Sequence, residues 1–142
     1  MIRPFRPPDL EPLMALWLES TTAGHPFIDP RYWRESAPLV RSHYLPQAQT
    51  WVSECDGRLG GFASVMEQRF LGALFVAPPL FGRGVAAALM AHVQQRFPAL
   101  SLEVYVRNRR AVAFYRKHGF IPQRRVRNPD THAMTLIMAW RR

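Results

Sequence analysis

Phe75-Val76-Ala77-Pro78-Pro79-Leu80-Phe81-Gly82-Arg83-Gly84-Val85-Ala86-Ala87-Ala88-Leu89-Met90 is the stretch on which the reading of this chain turns. An apolar run of strand character ends at a Pro pair. Two glycines punctuate a turn, and apolar residues at helical spacing follow. Such a turn aims several backbone N–H groups outward at the positive end of a helix, which suits a phosphate. A nucleotide-hydrolase phosphate loop needs Gly-Lys-Ser/Thr at its end, and Gly84-Val85-Ala86 excludes it. A dinucleotide fingerprint fits Gly82-x-Gly84-x-x-Ala87, and Glu103 stands about 20 residues on, where a ribose-binding acid belongs. The Pro pair between strand and glycines, and the position in mid-chain after an antiparallel meander, argue against it. The remaining reading is a tight strand-to-helix turn whose glycines supply backbone freedom alone.

The 142 residues are enough for one compact domain spanning positions 1–142. No apolar run approaches the length of a membrane span. Met1-Ile2-Arg3-Pro4-Phe5 reads as strand and not as a secretory signal. The single cysteine, Cys55, excludes an internal disulfide and fits a cytoplasmic protein. The formal net charge is +9, almost all from arginine, since Lys117 is the only lysine. A basic balance admits nucleic acid, an acidic ligand or an acidic protein partner. The five histidines (25, 43, 92, 118 and 132) share no metal-ligand spacing, so no metal is assigned.

Ile2 to Phe5 is expected as a first strand. Asp9 is placed to cap a helix whose apolar stripe is Leu10, Leu13, Met14, Trp17 and Leu18. A second helix is expected over Pro30 to Tyr44. Thr50 to Cys55, Gly60 to Met66 and Arg69 to Val76 read as strands, the first two joined by a turn at Asp56-Gly57. The helix after Gly84 carries Val85, Ala88, Leu89, His92, Val93 and Arg96 on one face. In Leu100 to Val106, Leu102, Val104 and Val106 alternate inward. Asn108 caps the next helix, Gly119 stops it, and Phe120 to Val126 and Met134 to Trp140 complete the strands. The fold class is therefore α/β (α+β). The order β-α-α-β-β-β-α-β-α-β-β gives a mixed, mostly antiparallel sheet of about seven strands flanked by four helices.

That order and two segments resemble the GCN5-related N-acetyltransferase (GNAT) superfamily. The family's acetyl-CoA loop, Gln/Arg-x-x-Gly-x-Gly/Ala, reads here Phe81-Gly82-Arg83-Gly84-Val85-Ala86. The segment from Leu102 to Phe120 matches the family's strand-Asn-x-x-Ala-x-x-Phe-Tyr-x-x-x-Gly-Phe signature at Asn108, Ala111, Phe114, Tyr115, Gly119 and Phe120. A closer likeness is to small bacterial acetyltransferases of the YiaC type. It is carried by Leu18-Glu19-Ser20-Thr21-Thr22, Gly24-His25-Pro26-Phe27-Ile28 and Gln94-Gln95-Arg96, and by Arg69-Phe70-Leu71 ahead of the Phe-Val-Ala-Pro strand end. It implies acetylation of protein lysines. One position departs from the family: Phe81 stands where Gln or Arg is usual.

The resemblance implies a set of roles. The N–H groups of Gly82, Arg83, Gly84, Val85, Ala86 and Ala87 would hold the pyrophosphate of acetyl-CoA. Leu74, Phe75 and Val76 would pair with the pantetheine arm as an added strand. Arg83, Arg109 and Arg110 are candidates for the phosphates, and Asn108 for the cofactor arm or for holding the strands apart. Tyr115 would protonate the departing thiolate, since a phenol at about 10 is a feasible donor to a thiol at about 8.5. The attacking amine must be neutral. For a lysine at about 10.4 that costs about 4.6 kcal/mol at pH 7. A base is therefore useful, with Glu103 first, Glu67 second, and water as the third possibility. Strand alternation turns Glu103 away from Leu102 and Val104, so that face must line the acceptor cleft. His25, Phe27, Phe70 and Glu67 are the substrate-binding candidates.

The expected activity is direct acetyl transfer from acetyl-CoA to a primary amine, a protein lysine first. Small amines, polyamines and protein N-termini are the alternatives. An inactive CoA-binding sensor or a basic nucleic-acid module is the reading from other classes. The late arginines fall mostly on the Asn-Tyr helix, which argues against nucleic acid. Neither a membrane nor a metal is expected, and the chain is expected to be a monomer or a homodimer.

Overall fold

These periodicities resolve into seven strands and four main helices in the computed structural model, which describes residues 1–142. In chain order they are β1 (Ile2–Pro4), α1 (Leu10–Gly24), α2 (Pro30–Leu39), a short helical turn α3 (Leu45–Gln47), β2 (Ala48–Cys55), β3 (Arg58–Met66) and β4 (Phe70–Val76). Then follow α4 (Val85–Arg96), β5 (Ala99–Tyr105), α5 (Arg109–Lys117), β6 (Ile121–Arg127) and β7 (Met134–Arg141). The expected order of strands and main helices is the observed one.

One sheet holds all seven strands in the order β1-β2-β3-β4-β5-β7-β6. Every neighbouring pair is antiparallel except β4 and β5. That parallel pair meets at one place, Phe70 opposite Ser101, where the Ser101 N–H donates to the Arg69 carbonyl at 2.8 Å. Beyond it, toward their C-terminal ends, the two strands part.

Alternation along the strands builds a core on each face. On one face Leu89, Met90 and Val93 of α4 pack against Leu71, Leu100, Leu102, Val104, Leu136 and Met138. On the other, Leu13 and Trp17 of α1 with Ile28 and Trp33 cover Val52 and Phe62. The inward stripe of α4 differs from the expected one: Ala88 is exposed and Met90 is buried, because the helix leans on β3 and β4 through its 89/90/93 edge.

Two local expectations are corrected. Asp9 precedes α1, but its carboxylate makes no cap there. It accepts from Arg3 Nη1 and Nη2 at 2.8 and 2.9 Å and from the Arg6 N–H at 2.8 Å, which ties the start of the chain to the helix entry. The helix expected over Pro30 to Tyr44 divides. Pro38 offers no N–H to the ladder, and after Leu39 the backbone widens into a π-helical segment, Val40–Tyr44.

Gly61 marks the closest approach of β3 to its neighbours. A Cβ there would lie 2.8 Å from the Phe75 carbonyl oxygen and 3.0 and 3.1 Å from Val85 Cγ1 and Leu89 Cδ1. The nearest obstacle is backbone and cannot swing aside. Gly61→Ala is expected to cost about 1–3 kcal/mol, read as a lower urea midpoint at unchanged slope.

Candidate active site

The Gly82-x-Gly84 turn is built as its sequence requires. Both glycines have left-handed backbones, at φ +79° and +85°. Gly84 sits at the N-cap of α4, so the N–H groups of Val85, Ala86 and Ala87 begin a helix with no preceding turn to receive them. Arg83 is different: its N–H already donates to the Leu80 carbonyl at 3.2 Å, so its backbone is turned away from any ligand. Phe81, the departure from the family pattern, is partly exposed and carries the Arg110 guanidinium over its ring at 4.5 Å. The aromatic ring thus brings a cation from α5 to the position where the family usually has a polar side chain.

The edge of β4 facing β5 is open. The Ala77 N–H donates to the Gly60 carbonyl at 2.8 Å, and Phe62 lies opposite Phe75. Antiparallel alternation therefore turns the backbone of Phe75 toward β3 and that of Leu74 and Val76 into the gap. Of the three expected pairing residues, Leu74 and Val76 offer free N–H and C=O groups and Phe75 does not. An extended chain carrying amides can lie there, with its phosphate end at the α4 turn.

Asn108 caps α5, its Oδ1 accepting the Ala111 N–H at 3.4 Å. Its Nδ2 lies 3.4 Å from His25 Nε2. His25 Nδ1 is 2.7 Å from the Thr21 carbonyl, which can only accept, so that nitrogen carries the proton and Nε2 accepts from Asn108. Burial holds His25 below the ordinary histidine value, consistent with the neutral ring. The imidazole packs among Phe27, Trp33 and Tyr105, with centroids 5.0–5.8 Å apart. His25 is therefore corrected from a substrate contact to a buried strut, both nitrogens engaged, between the end of α1 and the start of α5. Phe27 belongs to the same cluster and carries Arg107 over its ring at 4.9 Å.

Tyr115 and Glu103 lie on opposite faces of the sheet. Tyr115 packs with the α4/α5 core, beside Phe114 and Phe120. Its hydroxyl makes no hydrogen bond within the protein, and burial pushes it up to about 12. Glu103 points to the α1/α2 face, between Ser101 and Tyr105, and is exposed. The sequence reading missed its partner Thr135, a buried residue on β7. The Thr135 hydroxyl lies 2.6 Å from Glu103 Oε2 and 2.9 Å from the Val126 carbonyl, and its one proton serves one of them at a time.

On the same face as Glu103 a cavity of about 600 Å³ opens over the join of β4 and β5. Trp17, Val40, Tyr44, Phe62, Ser64 and Phe70 line it, with Ser101 at the join. Glu67 stands at its rim, in a two-residue turn where Glu67 and Gln68 both have positive φ, and it pairs with Arg69 at 3.3 Å. Phe70 and Glu67 are thus brought together, and His25 and Phe27 are not among the lining residues. The contribution of Val40 had no signal in the sequence, because it lies at the start of the π-helical widening. No cluster of three or more His, Cys, Asp or Glu side chains is placed to hold a metal, and no helix is long and apolar enough to cross a membrane.

Comparison with known proteins agrees with this geometry. Residues 10–120 match the family model described as acetyltransferase (GNAT) family. The chain is 51% identical over 140 residues to the peptidyl-lysine N-acetyltransferase YiaC of Escherichia coli K12, covering 99% of this chain and 96% of that one. It is 37% identical over 121 residues to the peptidyl-lysine N-acetyltransferase YjaB of the same organism, covering 84% and 80%. The solution structure of apo-form YjaB from E. coli superposes with a TM-score of 0.84 at 34% identity, covering 99% of this chain and 96% of that one. The PaiA N-acetyltransferase of Thermoplasma acidophilum, solved with coenzyme A, has a TM-score of 0.83 at 18% identity, covering 100% and 98%, a likeness of fold.

The neutral His25 makes stability depend on pH. Below its ordinary value of 6.5 the unfolded chain binds a proton that the folded one refuses, so stability falls as pH falls through that range. His92 and His118, also held low by burial, act in the same direction. Urea unfolding is expected to show lower stability at pH 5 than at pH 7.5. His25→Gln, less stable throughout, is expected to have a shallower slope.

Proposed function

Since the chain belongs to the acetyltransferase (GNAT) family and is an acetyl-CoA-dependent N-acetyltransferase, we propose that its acceptor is the side-chain amine of a peptidyl lysine. Transfer is direct, in a ternary complex, with no acetylated enzyme. One observation carries the reading most: the open β4 edge at Leu74 and Val76 runs into the N–H-rich turn before α4, while the acceptor-sized cavity opens on the other face. The names of the E. coli relatives support the lysine acceptor. The chain acts as one domain in the cytoplasm.

The bound co-substrate supplies an acetyl thioester, and the protein's residues do the rest. The N–H groups of Gly82, Gly84, Val85, Ala86 and Ala87 hold the pyrophosphate, with Arg110 steadied above by Phe81. Arg83 and Arg109 contribute as side chains. Leu74 and Val76 hold the pantetheine arm in register. The gap between β4 and β5 lets a thioester held from the α4/α5 face meet an amine arriving from the α1/α2 face. The lysine stem lies along the apolar walls of the cavity, and Phe70 and Trp17 exclude water from it.

Presenting a neutral amine at pH 7 costs roughly 4.6 kcal/mol, and Glu103 receives the proton, through water, as attack on the thioester makes the nitrogen acidic. Thr135 orients its carboxylate. Glu67, paired with Arg69 at the rim, stands second. Tyr115 works differently from the simple acid expected of a phenol at about 10. Held at about 12, it would give its proton to a thiolate of about 8.5 only uphill by about 5 kcal/mol. Its function is to donate a hydrogen bond to the sulfur as charge develops there, keeping its proton.

Mass spectrometry of a panel of peptides, N-terminal amines and polyamines incubated with acetyl-CoA tests the acceptor. Acetylation confined to lysine side chains is expected, and acetylation of polyamines alone overturns it. Tyr115→Phe and Glu103→Gln are each expected to lower kcat by about 10²-fold with little change in KM for acetyl-CoA. Phe81→Ala is expected to do the reverse, raising that KM about two- to fivefold.

A further inference from the structure

The charge of this protein is divided along the chain. The first 69 residues carry seven cationic side chains and eight acidic ones, whereas residues 70–142 carry twelve cations and only Glu103 and Asp130 as acids. Every ion pair in the structure joins residues of the first part: Arg3 with Asp9 and Glu54, Arg31 with Asp29, Arg41 with Glu11 and Arg69 with Glu67. No cation from Arg83 onward has a carboxylate partner. The phosphates of acetyl-CoA account for a few of them, near Phe81. They do not account for Arg124, Arg125 and Arg127, which lie on β6 at the far edge of the sheet.

The outer side of β6 is unpaired along Ile121–Arg127, and Ile121 is 64% exposed. A long free edge invites a second copy of the chain. Three arginines on the strand, with Pro122 and an irregular register beside it, oppose that by like-charge repulsion. The same arginines favour an acidic chain. Register gives Arg124 a particular place. Glu103 lies opposite Ile137 on β7, and Ile137 lies opposite Arg124, so Glu103, Ile137 and Arg124 form one cross-strand row on the acceptor face. Arg125 and Arg127 point to the other face. Two strand spacings put Arg124 about 10 Å from Glu103. An extended chain covers about 7 Å in two residues and about 10 Å in three.

We propose that the open face of β5, β7 and β6 is a docking surface for an acidic segment of the acceptor protein. Arg124 pairs there with an Asp or Glu two or three residues from the lysine that enters the site. The guanidinium suits a carboxylate through two parallel hydrogen bonds. The unpaired arginines around it add a field that speeds encounter with acidic partners and weakens with salt. Other charged or ionisable groups on this face are Glu103 itself, Tyr105 on β5, Asp130 in the β6–β7 turn, and Tyr32 of α2, which bonds Asp130. The proposal rests on the peptidyl-lysine reading and names the class of lysine selected.

Two lysine peptides test it, identical except for Asp or Ala at the second and third positions on either side of the lysine. At low salt the acidic peptide is expected to have a kcat/KM about tenfold higher, with most of that advantage gone in 0.5 M NaCl. Arg124→Glu is expected to erase the advantage. Arg125→Glu, on the opposite face, is expected to reduce it by less than threefold. The KM for acetyl-CoA reports that both variants are folded. Equal turnover of the two peptides by the natural protein, or an advantage that survives Arg124→Glu, overturns the docking surface and leaves lysine acceptance standing. Salt-sensitive binding of the acidic peptide without acetylation of either peptide overturns lysine acceptance and leaves the docking surface standing. Tighter binding of a single-stranded oligonucleotide than of the acidic peptide, lost in Arg124→Glu, overturns the assignment to an acidic protein segment.

Discussion

A single join between two parallel strands governs this molecule. β4 and β5 meet at Phe70 and Ser101 and nowhere else, so an otherwise continuous sheet has a wedge cut into its middle. Backbone groups on the open edge of β4 must find partners, and a ligand chain with amides of its own is a chemically matched one. The wedge also joins the two faces, which elsewhere are sealed by separate apolar cores. The wedge thus lies between the phenol of Tyr115 on one face and the carboxylate of Glu103 on the other. The glycine turn, the α4 N-terminus and the cavity take their positions from that opening.

Most of the architecture was legible because it rests on local chemistry. Pro78-Pro79 and the two glycines mark the end of a strand and the start of a helix whatever lies around them. Asn108 and Gly119 bracket α5 as cap and stop, and the structure uses both in those ways. What could not be read depends on partners far away in the chain. Asp9 looks like a helix cap until Arg3 is brought beside it. His25 looks like a ligand in a loop until Thr21 and Asn108 occupy its two nitrogens. Phe81 looks like a defect in a phosphate loop until Arg110 is placed over its ring. Thr135 gives no sign in the sequence that a carboxylate 32 positions earlier will lie against it.

The site divides its tasks by environment. Tyr115, among aromatic rings and without a hydrogen-bond partner, keeps its proton firmly and is suited to stabilising charge on a neighbour. Glu103 lies exposed on the opposite side, its carboxylate against the Thr135 hydroxyl. Between them the protein supplies mainly backbone: N–H groups at a helix start and along a free strand edge. Those groups need no ionisation and no rotamer choice, so the cost of ordering them has already been met in folding.

The π-helical stretch at Val40–Tyr44 has a consequence of another kind. A π turn is an α-helix that carries a surplus residue within one turn. The widened turn absorbs the roughly 100° that one extra residue would otherwise add, so the helix before it and the chain after it keep their facing. Removing a single residue there would restore a regular helix and leave those flanks in place, drawing Val40 and Tyr44 closer together at the cavity wall. The cavity therefore has a mode of variation that acts through chain length. One deletion would reshape the stretch of wall between Val40 and Tyr44, where a point substitution alters one side chain.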